Sequence, residues 1–218
     1  MRNIKKEYKK YVVSYFLIYI IVNMAIIAFN NNLINENTLE ILKNSEFIIK
    51  PLYSIIVIPL ITIIALVIMN IVPSRFKEFL IFWKTKYALP SFRWQSKLAD
   101  KDNKINIEIL NKKYGKNLSA QNQHDVWYSA YQKCKNEENI LESQKDYLFA
   151  RDLCITTLLI IPIIIIIYLL GKIYLNLNIS FLFINAIVLI FTYLLLVWVA
   201  RNGANRFVCN VLSLDSLK

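Results

Sequence analysis

Four long stretches without a charged residue constrain this chain more than any other feature. They cover residues 12–29, 51–72, 153–170 and 179–200, and each is 18 or 22 residues long. A helix needs about 20 apolar residues to cross the hydrocarbon core of a bilayer. Because backbone groups in lipid must bond internally, and because no stretch alternates as barrel strands do, the sequence predicts four transmembrane helices. The hydrophobic content of 56%, which is high for a soluble domain, agrees with this prediction.

The distribution of lysine and arginine predicts the orientation of the chain. Of 26 such residues, five precede the first stretch, two lie in residues 30–50, fifteen in 73–151, one in 171–178 and three after residue 200. Since cytosolic loops are enriched in these cations, we expect a multi-pass membrane protein with both termini in the cytosol. The first stretch is interpreted as a span rather than a cleaved signal peptide, because three asparagines and no small-residue cleavage site follow it.

The predicted fold is all-α, with four transmembrane helices and a helical cytosolic insertion between spans two and three. Residues 1–72 hold a basic N-terminus and the first two spans. Residues 73–151 form a basic helical cytosolic domain, in which fifteen cations face nine carboxylates. Residues 152–218 hold the last two spans and a short cytosolic tail. The positive charge is expected to attract an anionic ligand, an acidic partner or anionic lipid, and nucleic-acid binding is disfavoured because the cations are scattered.

Within the insertion, several helix boundaries are predicted from local signals. Ser74 is a candidate N-cap for a helix that ends before Pro90, and this helix either lies in the headgroup layer or packs on its own domain. Further helices are expected at residues 105–114, closed by Gly115, and from Ser119. A capping box at residues 143–146 predicts that the third span begins as a cytosolic helix near residue 144. The apolar side of the first helix is Phe76, Phe79, Leu80, Trp83 and Tyr87, and its cationic side is Arg75, Lys77, Lys84 and Lys86.

Polar residues concentrate where spans three and four are expected to meet the cytosol. Arg151 and Asp152 are predicted to form a structural ion pair. Since a short hairpin joins the two spans, Asp152 is also expected to pair with Arg201 or Arg206. Guanidinium groups suit phosphate, so this region is a candidate ligand site, with an interfacial belt or an oligomer contact as alternatives. The candidate ligand- or partner-binding residues are Arg93, Arg201, Asn202, Asn205, Arg206 and Asn210.

The spans themselves contain no ionisable residue, which disfavours a proton-coupled or ion-coupled transporter. Asn23, Asn70 and Asn185 are the polar residues expected to bond between helices or to line a pore. The chain has one histidine, no Ser–His–acid series, no HExxH motif and no glycine-rich phosphate loop. We therefore expect no enzyme, no catalytic residue, no cofactor and no metal site. All three cysteines would lie on the reducing side or at its boundary, so no disulfide is expected.

Several short motifs resemble a poorly characterised family of bacterial four-span membrane proteins. The resemblance covers residues from about 73 to the C-terminus, and it implies the same four-span fold in the bacterial inner (cytoplasmic) membrane. The family's corner usually reads LPG, one residue, then Arg-Ala-Phe, from which Ser91, Phe92 and Trp94 depart. The overall layout is also similar to four-transmembrane effectors of antiphage defence systems. The motifs are Leu89-Pro90 with Arg93, Gln121-Asn122 with Trp127-Tyr128, Arg151-Asp152, Arg201-Asn202, Asn205-Arg206-Phe207-Val208 and Asn210-Val211-Leu212.

Three functions fit these features. The first is a membrane-embedded effector of antiviral defence, which oligomerises and permeabilises the inner membrane when a cytosolic protein partner or an anionic (nucleotide) ligand engages its cytosolic domain. The second is a constitutive small channel or transporter subunit. The third is a non-enzymatic membrane anchor that recruits a soluble partner. We expect the first, with lipid and further copies of the chain as its partners.

Overall fold

A computed structural model describes residues 4–30, 71–99, 102–175 and 180–217. These residues are helical and irregular, without a strand. They form two compact units: the first comprises the described residues of Met1–Tyr8, Pro73–Cys154 and Leu195–Lys218, and the second comprises the described residues of Lys9–Val72 and Ile155–Leu194. The helices are α1 (Ile4–Asn30), α2 (Ser74–Phe82), α3 (Trp94–Lys97), α4 (Ile107–Tyr114), α5 (Ala120–Cys134), α6 (Glu138–Leu175) and α7 (Ser180–Ser216), with a 3₁₀ helix at Pro90–Arg93 between α2 and α3.

Two helical segments are long and apolar enough to cross a membrane. They are Glu138–Leu170 in α6 and Phe183–Ser216 in α7, and they include most or all of the third and fourth predicted spans. The first predicted span is helical within α1. Nearly all of the second predicted span, including Asn70, lies outside the described residues. The all-helical fold class is thus confirmed for the described chain, together with two candidate membrane helices.

The core of the second unit joins three helices. Val13 and Phe16 of α1 pack with Ile160, Ile164 and Tyr168 of α6 and with Leu189 of α7, all of them buried. Shape complementarity matters here, because lipid chains are as apolar as these side chains and helix association in a bilayer depends on packing and hydrogen bonds.

Small residues let α6 and α7 approach closely in the first unit. A Cβ atom added to Gly203 would lie 3.4 Å from the Cα atom of Tyr147. Ala200 and Ala204, on the same side of α7, are buried. Further along α7, the Phe207 ring meets the Trp127 ring of α5 edge-on at 5.5 Å. The C-terminal part of α7 therefore packs against α5.

Hydrogen bonds of amide side chains fix α3 against α4 and α5. The backbone N–H of Gln95 donates to Oε1 of Gln123 at 3.0 Å, and the Gln95 side chain donates to Oδ1 of Asn111 at 2.8 Å. The indole N–H of Trp94, which is fully buried, donates to the Gln123 carbonyl at 2.9 Å. These bonds hold the corner between α2 and α3 in one position, and with it the cationic side chains on both sides of that corner.

Some helix boundaries agree with the local signals. Ser119 caps α5 by accepting a bond from the N–H of Asn122 at 3.2 Å. Asn106 caps the start of helix α4, and Gly115 caps its end. Gly115 has a φ of 93°, which residues other than glycine rarely adopt.

Two boundaries differ from the prediction. Helix α2 ends at Phe82 rather than near Pro90, because Trp83 takes a left-handed conformation and donates its N–H to the Phe79 carbonyl at 2.8 Å. Helix α6 begins at Glu138, and Ser143 lies inside it. The Ser143 hydroxyl donates to the Asn139 carbonyl at 2.8 Å, so this residue bonds backward along an existing helix instead of capping a new one.

Candidate anion-binding site

A cavity of about 420 Å³ in the first unit is lined by four cationic side chains. Lys84 follows α2, Arg93 ends the 3₁₀ helix, Lys97 ends α3, and Arg201 belongs to α7. None of the described residues that line this cavity is acidic. Its volume is typical of small-molecule sites. We call it the basic pocket, and its other lining residues are Phe82, Leu98 and Asn205.

Arg201 is held in place from two sides. Its Nε donates to the carbonyl oxygen of Ile81 at 2.7 Å, and its guanidinium carbon lies 4.2 Å from the centroid of the Trp83 ring. Such a cation–π contact adds about 0.5–2 kcal/mol. On the other side of the pocket, the guanidinium of Arg93 lies 6.0 Å from the Phe82 ring. Because both arginines rest on aromatic rings, they lose little conformational freedom when a ligand binds.

The cations of the basic pocket destabilise one another. Burial lowers the pKa of Arg93, and the positive charge of Arg201 lowers it further. The pKa of Lys84 is lowered first by the charge of Arg93, then by desolvation and by Lys97. Among the described residues, neither arginine forms an ion pair with a carboxylate. A bound anion would therefore relieve repulsion within the pocket.

Backbone strain occurs beside the pocket. Trp83 and Tyr87 have φ angles of 53° and 51°. Bulky residues rarely adopt this left-handed conformation, which costs on the order of 1–3 kcal/mol and is found most often at functional sites. At Trp83 it turns the chain out of α2, and the ring of that residue lies over Arg201.

The six predicted ligand residues separate into different places. Arg93, Arg201 and Asn205 line the basic pocket together. Asn202 lines a largely apolar cavity of about 430 Å³. Arg206 forms an ion pair with Asp146, and with Asn210 it lines a polar cavity of about 390 Å³ that includes Glu142. The separation follows from helix geometry, because residues 202 and 206 lie about 100° around α7 from residues 201 and 205 respectively, and residue 210 lies still farther around the helix.

Asp152 has different partners from those expected across the two spans. It is buried, and Lys77 Nζ and the Arg151 guanidinium approach its Oδ1 at 3.3 and 3.1 Å. The Tyr8 hydroxyl donates to its Oδ2 at 3.1 Å. The expectation that Asp152 pairs with Arg201 or Arg206 is wrong, because Arg201 is bonded to Ile81 and Arg206 to Asp146. Lys77 is likewise buried, instead of lying on an exposed cationic side of α2.

Two of the three asparagines predicted inside the spans are described. The Asn185 amide of α7 donates to the Tyr168 hydroxyl of α6 at 3.0 Å, an interhelical bond. Asn23 donates to the Tyr19 carbonyl of its own helix at 2.9 Å. Its buried Oδ1 has no partner among the described residues.

A Ser–His pair that sequence reasoning missed lies near the basic pocket. The Ser91 hydroxyl and Nδ1 of His124 are 2.8 Å apart, and the His124 ring stacks on Phe92 at 4.3 Å. Ser91 is fully buried, so its oxygen is not accessible to a substrate. We assign this pair to the packing of the corner, where burial lowers the pKa of His124 despite the charge of Asp125.

Lys84 and Lys97 were also missed as pocket residues. Lys97 follows Arg93 by four residues, a spacing at which side chains share a helical face, so the sequence did contain a signal for it. Lys84 carried no such signal, because its position depends on the unexpected end of α2 at Phe82.

The described residues contain no group of three or more His, Cys, Asp or Glu side chains that would hold a metal ion. No protein-family model, curated protein or solved structure matches the chain.

Proposed function

We propose that this chain is a four-span protein of the bacterial inner membrane whose cytosolic helical insertion binds a phosphate-bearing anion in the basic pocket. The observation that carries the proposal is the convergence of Arg93, Arg201, Lys84 and Lys97 on one cavity with no acidic lining residue. Guanidinium groups match phosphate oxygens with two parallel hydrogen bonds, and lysines add point charges.

The same pocket offers a route from ligand to membrane. Arg201 and Asn205 belong to α7, one of the two helices long and apolar enough to cross a bilayer. Arg201 directly follows the last residue of the fourth predicted span. A ligand that pulls on Arg201 would therefore act on the cytosolic end of a membrane helix. The four-span topology with both termini inside is supported by the lysine and arginine distribution.

The full form of the proposal is an effector of antiviral defence. Ligand binding, or engagement of a protein partner, would lead several copies to oligomerise and to permeabilise the membrane. The apolar spans support this over a constitutive channel, because a single copy offers few polar groups with which to line a pore. A constitutive channel subunit and a non-enzymatic anchor remain as the other outcomes of the experiments below.

A binding measurement tests the pocket. The full-length chain in detergent is titrated with ATP, with inorganic phosphate and with phosphatidylglycerol dissolved in the same detergent, which separates a soluble phosphate from a lipid headgroup. Each lost charge-assisted hydrogen bond costs about 1.5–3 kcal/mol. Arg201→Gln and Arg93→Gln should therefore each weaken binding about 10- to 150-fold.

Arg206→Gln is the matched control, because it removes the same charge from α7 at a residue that is paired with Asp146 outside the pocket. Its affinity should equal that of the wild type. Absence of binding to all three probes would refute the pocket, as would equal losses in Arg201→Gln and Arg206→Gln.

Membrane potential in living bacteria tests the effector. Cells that express the chain are compared with and without phage infection. Depolarisation only on infection, abolished by Arg201→Gln, would support the effector. Depolarisation without infection would favour a constitutive channel. An unchanged potential in both states would contradict the permeabilising effector and would favour the anchor.

A further inference from the structure

Helix α2 buries Lys77 together with Ile81 and Phe82, and it exposes two of its three aromatic side chains. Phe76 and Phe79, whose rings are 6.3 Å apart, are 50% and 38% exposed, whereas Lys77 is buried against Asp152. A helix that packs on its own domain normally buries its aromatic residues and exposes its lysines. The first unit therefore leaves the aromatic side of α2 uncovered among the described residues.

The loop after α2 continues this surface. Trp83 and Tyr87 are 57% and 51% exposed, and both hold left-handed conformations. Lys84, Thr85 and Lys86 between them are exposed as well. Two large aromatic side chains beside two lysines form a combination suited to the interface between lipid and water, where amphipathic rings lie at headgroup depth and cations meet phosphate.

The position of α2 along α7 supports the same conclusion. The end of α2 contacts Arg201 through the Ile81 carbonyl and the Trp83 ring. Arg201 lies at the point where α7 changes from exposed apolar residues, Trp198 and Val199, to polar ones. If α7 crosses the bilayer, this transition marks the membrane–water boundary, and the end of α2 lies level with it.

The charges on and beside this surface indicate what kind of partner covers it. Arg75, Lys84 and Lys86 are exposed on or beside this surface. The one carboxylate on α2, Glu78, is partly buried, and desolvation raises its pKa, although the charges of Arg151 and Arg75 oppose the shift. Aromatic rings bordered by cations fit an anionic lipid surface better than they fit a purely apolar or an acidic protein surface.

We propose that α2 and residues 83–87 dock on the inner leaflet as an interfacial element, with Phe76, Phe79, Trp83 and Tyr87 in the headgroup layer and the neighbouring cations bound to anionic phospholipid. This inference does not depend on the ligand of the basic pocket, since Phe76 and Phe79 do not line that pocket and Lys84 is the one cation of this surface that does. It favours the headgroup layer, one of the two placements that the sequence left open for the helix after Pro73.

Site-specific labelling tests the docking. Phe79→Cys is labelled with an environment-sensitive fluorophore and the full chain is reconstituted in phosphatidylcholine vesicles with or without phosphatidylglycerol. Ile109→Cys on α4 is the matched control, because Ile109 is 43% exposed and lies far along the chain from α2. The native cysteines are all buried and compete little for the label. Size-exclusion chromatography verifies that each variant is folded.

In vesicles with phosphatidylglycerol, the label at residue 79 should be quenched by headgroup-level nitroxide lipid and should be several-fold less sensitive to aqueous iodide than the label at residue 109. Arg75→Gln with Lys86→Gln should reduce this protection. Equal iodide quenching at the two positions would overturn the docking. Equal protection of residue 79 in vesicles without phosphatidylglycerol would overturn the anionic lipid as the occupant.

Discussion

Replacing the buried carboxylate of Asp152 is the most direct test of how the first unit is held together. Asp152 is only 4% exposed and lies between Lys77 of α2 and Arg151 of α6. In the variant Asp152→Asn, the amide can still accept the Tyr8 hydroxyl. It cannot neutralise Lys77 and Arg151, so these two cations lose the charge of Asp152.

The size of the effect follows from this burial. Removing one partner of a buried ion pair costs about 3–5 kcal/mol, because the remaining charge stays desolvated. For a chain of this size, 1 kcal/mol corresponds to roughly 2–4 °C in the melting temperature. We therefore expect Asp152→Asn to lower the melting temperature by about 6–20 °C.

Thermal unfolding of the full-length chain in detergent, followed by tryptophan fluorescence, measures this shift. Asp146→Asn is the control, since it removes another carboxylate of α6. Asp146 forms an ion pair with Arg206, and both of these side chains are at least half exposed. Exposed pairs contribute at most about 1 kcal/mol, so the control should shift by less than about 4 °C. A shift for Asp152→Asn no larger than that for Asp146→Asn would refute the reasoning.

Three further predictions use the same thermal assay. Gly203→Ala should be neutral or slightly stabilising, whereas Gly203→Leu should cost about 1–3 kcal/mol, because the larger side chain would collide with the Tyr147 backbone. Lowering the pH through about 6.5 should destabilise the chain, because burial lowers the pKa of His124 and the unfolded chain then binds the proton more readily. His124→Gln should show less of this pH dependence. Ser119→Ala should cost about 1 kcal/mol through loss of the α5 cap, while the exposed Ser129→Ala should cost nothing measurable.

The sequence predicted helices where a local rule decides the outcome. Ser119 and Gly115 act through hydrogen bonds and dihedral preferences within a few residues, so their roles can be read from neighbouring letters. The end of α2 could not be predicted in this way. Trp83 adopts a left-handed backbone conformation that is unfavourable for tryptophan. Its ring contacts Arg201, a residue more than a hundred positions later in the sequence.

The candidate site was predictable to a similar extent. Residues 201 and 205 lie one helical turn apart, so their shared face follows from helical periodicity. That Arg93 would join them, while Arg206 would pair with Asp146, depends on tertiary packing. The partners of Asp152 were missed for the same reason. Lys77 and Tyr8 come from segments 75 and 144 positions away, and nothing in their local sequence marks them as buried.

Lys77 in α2 and Lys84 after it lie in different environments, and the two sites contribute to different properties, one to stability and the other to binding. Lys77 is buried beside Asp152, so its charge is compensated within the protein, and that site has little to offer a ligand. Lys84 lines a pocket whose described residues include three more cations and no carboxylate, so no side chain of the described lining compensates its charge. The two sites should therefore respond differently to mutation. Asp152→Asn should lower the melting temperature, whereas Arg201→Gln should lower the affinity for anions and, by removing repulsion with Arg93, should leave the melting temperature largely unchanged. A large loss of stability in Arg201→Gln would mean that its bond to Ile81 and its contact with Trp83 serve mainly to hold α2, and the basic pocket would then be a consequence of that packing.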